Sequence, residues 1–300
     1  MSLARSVTVA IACALLAAGC GQAGPSRKVV GVTLLTATDA FYKTLEASIR
    51  EEAAAKDLDL VVVSCEMDPT KQASQIEDFI ARHVSAILAA PCDSSAIVPA
   101  LAGAERAGIP VFTADISAAG GRIVSHVASD NVQGGRLAAQ ALAGFMGGKG
   151  EVLIIDQPTV ASVQDRVRGF EEGLRAFPEI TIVAKLSGEG QRSKAVQIME
   201  DALQAHPRLS GVFAINDNCA LGAVGVIETA GRKDIAVVGY DASDEAQAAI
   251  RSGGPLKADV IQHPEQIGKA AIDVIAQHLA GQPVPALKAV DVGIWDGKSR

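Results

Sequence analysis

Residues 211–241 read GVFAINDNCALGAVGVIETAGRKDIAVVGYD. An apolar run, Gly211–Asn216, breaks at the polar pair Asn216-Asp217. A stretch of helical period follows and stops at Gly231, and a second apolar run, Ala236–Asp241, ends in Tyr240-Asp241. Glycine suits a helix end because it takes the left-handed conformation without a Cβ clash. The same order stands upstream. Gly108 closes a helical stretch, Pro110 opens a strand at a tolerated first position, and Val111–Asp115 again ends in an acid.

The unit repeats from Val29 onward. The apolar runs are Val29–Leu35, Leu60–Cys65, Ala86–Ala90, Val111–Asp115, Val152–Asp156, Thr181–Leu186, Gly211–Asn216, Ala236–Asp241 and Ala258–Gln262. They are nearly continuous and rich in Val and Ile, as parallel strands covered on both faces should be. Between them apolar residues recur at helical spacing. Tyr42, Leu45, Ile49 and Ala53 mark one face; Gln75, Phe79 and Ile80 mark a second; Val167, Phe170, Leu174 and Phe177 mark a third. Alternation of this kind gives an α/β fold with right-handed crossovers. Nine units exceed one comfortable open sheet, and the echo of residues 107–115 in residues 230–241 divides the chain into two similar, doubly wound parallel-sheet lobes. Periodicity alone leaves a (β/α)8 barrel as the competitor.

In open α/β sheets ligands bind beyond the carboxyl ends of the strands. Those ends here carry Asp39, Phe41, Tyr42, Asp115, Asn216, Asp217, Tyr240, Asp241 and Gln262. Carboxylates accept from hydroxyls, amides both donate and accept, and aromatic rings cover apolar C–H faces. The set suits a small polyhydroxylated ligand. Any single Asp at such a junction also has the plainer role of a helix N-cap.

Composition narrows the function further. Among 300 residues, 49% are hydrophobic, so a sizeable core is available. Aromatics are only 3%, and 27 basic residues face 34 acidic ones with no Lys/Arg block, which argues against a nucleic-acid surface. The five histidines show no metal-ligand spacing, and no G-x-S-x-G elbow occurs. Gly147-Gly148-Lys149-Gly150 precedes a strand, whereas a phosphate loop follows one, so it reads as a turn. No cofactor and no metal site is expected, and neither is catalysis.

The N-terminus, MSLARSVTVAIACALLAAGC, has one Arg and then a 14-residue apolar stretch, Ser6 to Gly19. At about 1.5 Å per residue this is too short for a hydrocarbon core of about 30 Å, and it reads as an export signal over residues 1–19. Ala17-Ala18-Gly19-Cys20 resembles a bacterial lipobox, with Leu16 one place further upstream than usual. It implies a lipid-modified Cys20 and a tether over residues 20–28. The mature chain then keeps Cys65, Cys92 and Cys219 besides. That odd count forbids a full disulfide set, and buried thiols are the expectation.

Four further stretches carry a family resemblance: Val124-Ser125-His126-Val127-Ala128-Ser129-Asp130-Asn131; Val212 to Asp217 with Ala220-Leu221-Gly222-Ala223; Val237-Val238-Gly239-Tyr240-Asp241; and Pro264-Glu265-Gln266-Ile267-Gly268. Across nearly all of the mature chain the sequence resembles the ribose-type periplasmic sugar-binding proteins of ABC importers. The resemblance implies two lobes, residues 29–129 plus 263–288 and residues 130–262 plus 289–300, joined by three crossing segments of the periplasmic binding protein type I. It implies a ligand site of Asp39, Phe41, Tyr42, Asp115, Gln164, Asn216, Tyr240, Asp241 and Gln262. It further implies closure about a hinge, delivery to a membrane permease, and a monomer anchored by lipid outside the cytoplasm.

Three positions depart from the ribose pattern. Ile116 and Gln164 stand where ribose binders place arginines, and Gly190 stands where they place a stacking aromatic. Asp39 also replaces a typical Asn. Three acids would then face the cleft without a matched cation, a costly arrangement in a dry site. Arg166 or Arg192 could supply the charge. The expected ligand is a sugar or polyol other than ribose, with an amino-bearing sugar in the class and room at Gly190 for a larger molecule. Sugar-responsive repressors share the design but need an N-terminal DNA-binding helix pair. A sensory ligand-binder remains the alternative to import.

Overall fold

The computed structural model describes residues 27–298. In chain order the elements are β1 (Val29–Leu34), α1 (Ala40–Ala55), β2 (Asp59–Ser64), α2 (Pro69–Ala81), β3 (Ala86–Ala89), α3 (Val98–Arg106), β4 (Val111–Ala114), β5 (Ile123–Ser129) and α4 (Asn131–Phe145). They continue as β6 (Lys149–Asp156), α5 (Ala161–Leu174), β7 (Glu179–Ser187), α6 (Arg192–Ala205), β8 (Leu209–Ala214), α7 (Asp217–Thr229), β9 (Ala236–Asp241), α8 (Asp244–Arg251), β10 (Leu256–Ile261), α9 (Pro264–Leu279), β11 (Leu287–Val290) and β12 (Gly293–Trp295).

Two six-stranded sheets result. The first has the order β11-β5-β4-β3-β1-β2 and the second β12-β10-β9-β8-β6-β7. All neighbours pair parallel except β12, which runs antiparallel to β10. The fold is therefore two doubly wound α/β lobes and not a barrel. In both sheets the order reverses beside the first strand of the lobe, at β1/β3 and at β6/β8. Crevices for ligands open at these reversals.

The face read on α1 is the buried one; on α2 the buried residues are Gln72, Ile76 and Phe79, with Gln75 and Ile80 half-buried, and on α5 Val167, Phe170 and Leu174 are buried while Phe177 lies beyond the helix. Leu45 and Ile49 on α1 are fully buried, as are Phe79 on α2 and Phe170 on α5. Each contributes about 1.5–3 kcal/mol by leaving water. The tightest helix pair is α4 against α5. A Cβ on Gly135 would lie 2.0 Å from the Arg166 carbonyl oxygen, and one on Gly169 would lie 2.0 Å from that of Val132. Only glycine permits this approach, and it sets the depth of Arg166.

The chain passes between lobes at 129–131, at 262–263 and at 291–292. The third passage falls later than the expected boundary after residue 288, because β11 continues to Val290 in register with Ser129 of the first sheet. The Asp130 amide donates to Val290 O at 3.1 Å, so the first and third passages are tied side by side.

One expectation about the cysteines is overturned. Cys65 and Cys92 form a disulfide, because the ends of β2 and β3 flank β1 and bring the two side chains together. Cys219 is a buried free thiol, and burial pushes it up to about 12. Cys20 and the export signal lie outside the described residues.

Candidate functional site

A cavity of about 480 Å³ lies between the carboxyl ends of the two sheets. The first lobe contributes Thr36, Asp39, Phe41, Tyr42, Asp115 and Ile116; the second contributes Gln157, Arg166, Gly190, Asn216 and Asp241; Gln262 comes from a passage. The lobes meet around it. Asn218 Nδ2 donates to Asp39 Oδ2 at 2.8 Å, the Ser94 amide donates to Thr159 O at 3.1 Å, and the Ala161 amide donates to Ser94 Oγ at 3.0 Å. This is a closed arrangement.

Arg166 is the cation of the site. It sits on α5 at 5% exposure, on the same face as Val163, Val167 and Phe170. Its Nε donates to Asn131 Oδ1 at 2.9 Å and its Nη1 to Ile215 O at 2.7 Å. Nη1 also lies 3.7 Å from Asp241 Oδ1. Beneath it the Tyr240 ring is stacked, with the guanidinium carbon 3.9 Å from the ring centroid. A planar guanidinium suits such a stacked and forked setting.

Three carboxylates surround this one cation. Asp115 is held in a left-handed conformation, φ +63°, at the end of β4. Its Oδ2 accepts the Tyr42 hydroxyl at 2.6 Å, while its buried Oδ1 has no partner among the described residues. Burial pushes the Asp115 carboxyl up, and Arg166 pulls it back. Burial, and then Asp115 itself, push the Tyr42 phenol upward, so it remains a donor. Asp241 accepts from Gln262 Nε2 at 2.6 Å, and Gln262 Oε1 is buried and unpartnered. Burial pushes Asp241 up, with Arg166 again opposing. Asp39 caps α1 by accepting the Phe41 amide at 2.8 Å. Asn216 caps α7 by accepting the Cys219 amide at 2.9 Å. The capping role and the cleft position coexist at both residues.

Seven of the nine expected residues thus line the cavity, and two do not. Gln164 is exposed and turned off the inner face of α5, donating to Pro158 O at 2.7 Å. Its neighbours Val163 and Arg166 take the inward positions. Tyr240 is fully buried and donates to Asn131 Oδ1 at 3.3 Å, because alternation on β9 points it opposite to Asp241. It backs Arg166 and does not touch the cavity. Arg192 is engaged by Glu245 at 2.7 Å at the cleft mouth. The space beside Gly190 is not free either. A Cβ there would lie 2.8 Å from Gln157 Oε1, and φ is +68°. Gln157 occupies the side where an aromatic was missing; it follows β6 at the sheet reversal, a position that could have flagged it.

Two doubly wound lobes closing over a polar cavity define the class of extracytoplasmic solute-binding proteins. Residues 30–283 match the periplasmic binding protein domain, and the chain belongs to that family. It is 38% identical over 256 residues to the ribose import binding protein of Bacillus subtilis, covering 85% of this chain and 83% of the relative. Among solved structures, an ABC transporter solute binding protein from Mycobacterium smegmatis with bound glycerol superposes with TM-score 0.85 at 34% identity, covering 90% of this chain and 94% of that one. An ABC transporter periplasmic solute binding protein from Actinobacillus succinogenes with bound D-allose gives 0.83 at 30% identity, covering 91% and 98%. Members of this family are exported, non-enzymatic transport components, and so is this chain.

Proposed function

We propose that this protein captures a neutral monosaccharide or polyol other than ribose in the closed cleft and delivers it to the membrane subunits of an ABC importer. One observation carries the reading. Asp115 Oδ1 from one lobe and Gln262 Oε1 from a passage are buried acceptors without a partner among the described residues, and both residues line the same cavity. Buried acceptors left unpaired cost free energy, and hydroxyl donors relieve that cost. Arg166 supplies the opposite polarity, and Phe41 supplies an apolar edge.

The distinction from ribose rests on Ile116 and Gly190. Ile116 lines the cavity with an apolar side chain where ribose binders present a guanidinium. The relatives bind ribose, glycerol and D-allose by name, so the pocket design accommodates more than one carbon skeleton. Import is favoured over sensing because the relatives above 30% identity are named for import or for ABC transport. Lipid attachment at Cys20 and a monomeric state complete the proposal.

The test is a thermal-shift screen over pentoses, hexoses, polyols and amino sugars, followed by calorimetric titration of the hits. A compound that binds only the folded state raises Tm by mass action. D-ribose bound at sub-micromolar affinity, tighter than every alternative tested, would end the exclusion of ribose.

A further inference from the structure

Asp259 is an acid in the middle of β10, fully buried, on a strand otherwise made of Leu256, Ala258, Val260 and Ile261 and one Lys. Its Oδ1 accepts the Ala242 amide at 3.0 Å. Asp217, at the first turn of α7 and 7% exposed, accepts the next amide, Ser243, with its Oδ2 at 2.7 Å. The remaining oxygens, Asp259 Oδ2 and Asp217 Oδ1, are buried with no hydrogen-bond partner among the described residues, and the two carboxyls, held on successive amides, lie close enough for Asp217 to raise Asp259. Two carboxyl groups bond face to face only if one carries a proton. Gly239 leaves the room for it: a Cβ there would lie 2.4 Å from Asp259 Oδ2.

The two amides held in this way belong to an unusual turn. Asp241 has φ +111° and Ala242 has φ +53°, two successive non-glycine residues in the left-handed region. Such conformations cost of order 1–3 kcal/mol each and persist only when their surroundings over-determine them. The turn begins at Asp241, the cleft carboxylate that meets Gln262 and Arg166.

We propose that Asp217 and Asp259 share one proton and act as a positioning pair, clamping the Ala242 and Ser243 amides so that Asp241 is held in its cleft geometry. The proton sits on Asp259 Oδ2, the oxygen that the Ala242 amide leaves free. Burial drives the Asp259 carboxyl well above its ordinary range, with Asp217 and Asp241 adding to it. Burial raises Asp217 as well, with Asp39 adding to it. The charged groups around the pair are Asp39 capping α1, Asp241 on β9, Arg166 on α5 bound to Asp241, and Arg192 on α6, which feels Asp217 but is tied to Glu245 on α8. Loss of the proton at high pH would set two carboxylates against each other and free the turn. The clamp itself needs no ligand, while its consequence for affinity rests on the proposed function.

The experiment uses the mature chain without sugar first. Infrared difference spectra of wild type against Asp259→Asn at pH about 7.5 should show a protonated-carboxyl C=O band present only in wild type. Amide hydrogen exchange at Ala242 and Ser243 should stay slow in Asp259→Asn, whose amide accepts and donates at the same places. It should rise at least about tenfold in Asp259→Ala and in Gly239→Ala. An identical infrared spectrum, or exchange in Asp259→Ala equal to wild type, overturns the proposal. Titration with D-allose, D-tagatose and xylitol over pH is the second arm. Any of these that binds wild type should lose affinity on the alkaline side, and Asp259→Asn should lack that alkaline limb. An alkaline limb unchanged in Asp259→Asn also overturns the pair. If none of the three binds, the hits of the thermal-shift screen replace them; a screen without any hit puts the functional reading at fault, and the first arm still decides the clamp.

Discussion

Arg166 is the residue on which the cleft balances. It is buried against one carboxylate, one carbonyl, one amide oxygen and an aromatic face. Removing one partner of such a pair leaves the other buried and unpaired. Arg166→Met should therefore cost about 3–5 kcal/mol of stability in urea unfolding, more than the loss of packing alone. Asp241→Ala should weaken binding of the best compound from the screen by about 1–3 kcal/mol, roughly 5- to 150-fold in calorimetry. An unchanged dissociation constant would remove Asp241 from the site. Gln164→Ala should change stability and affinity by less than about 0.5 kcal/mol, because its side chain faces solvent. The contrast between 164 and 166 shows where sequence reading ran short. Family correspondence points at 164. Helical phase points at 166, which falls at i+3 from Val163 and i−4 from Phe170 in the buried stripe of α5. A charged residue inside an apolar stripe was the available signal. The pairing that makes it tolerable, with Asn131 and Ile215 O, crosses three elements and has no local trace in sequence.

Buried acids also give the unliganded protein a pH signature. Asp115, Asp156, Asp217, Asp241 and Asp259 are all raised, each first by burial. A raised carboxyl binds its proton more tightly folded than unfolded. Its stabilising contribution is present at low pH and is lost as pH rises through the folded value. His126 is lowered by burial, so charging it opposes folding as pH falls below its ordinary 6.5. Five raised carboxyls face His126 and four lowered ones, Glu66, Glu172, Asp234 and Glu245, whose contribution is lost only as pH falls below their ordinary values of 4.5 for Glu and 3.8 for Asp. Tm of the sugar-free protein should therefore rise as pH is lowered from about 8 to about 5. A Tm that falls steadily over that range would contradict the burial of these acids.

Among the elements, the pairs α4/α5 and β2/β3 carry the sharpest tests. Gly169→Ala places a methyl 2.0 Å from the Val132 carbonyl oxygen and must push α5 off α4. We expect about 1–3 kcal/mol of destabilisation by urea unfolding, together with weaker sugar binding, because Arg166 moves with α5. The Cys65–Cys92 disulfide closes a separation of 27 residues. In the chain-entropy account a loop of this size is worth about 3–4 kcal/mol, so reductant or Cys65→Ser with Cys92→Ser should lower Tm measurably. Strand and helix positions were legible wherever an apolar run or a helical stripe reached four residues or more. Three strands were not: β5, whose apolar run is broken by Ser125 and His126, β11, which is mostly exposed, and β12, which has only three residues. The disulfide was hidden for a different reason. Residues 65 and 92 are neighbours only because β1 lies between β2 and β3, and counting cysteines does not contain strand order.

The whole molecule works by the separation and meeting of its lobes. Contacts made only in the closed state are what bias a hinge, and here these include Asn218 with Asp39 and Ser94 with Thr159 and Ala161. The two-lobe plan was visible in sequence as a repeat, while the lobe exchange at 291–292 was visible only approximately, because both flanking strands are short. The most direct test of the account is small-angle X-ray scattering of the protein with and without the sugars and polyols that raise its Tm. The account requires that at least one neutral compound reduce the radius of gyration, and that Asp241→Ala shift that response to higher concentration. Scattering profiles that stay superimposable for every compound that binds by calorimetry would contradict capture by closure.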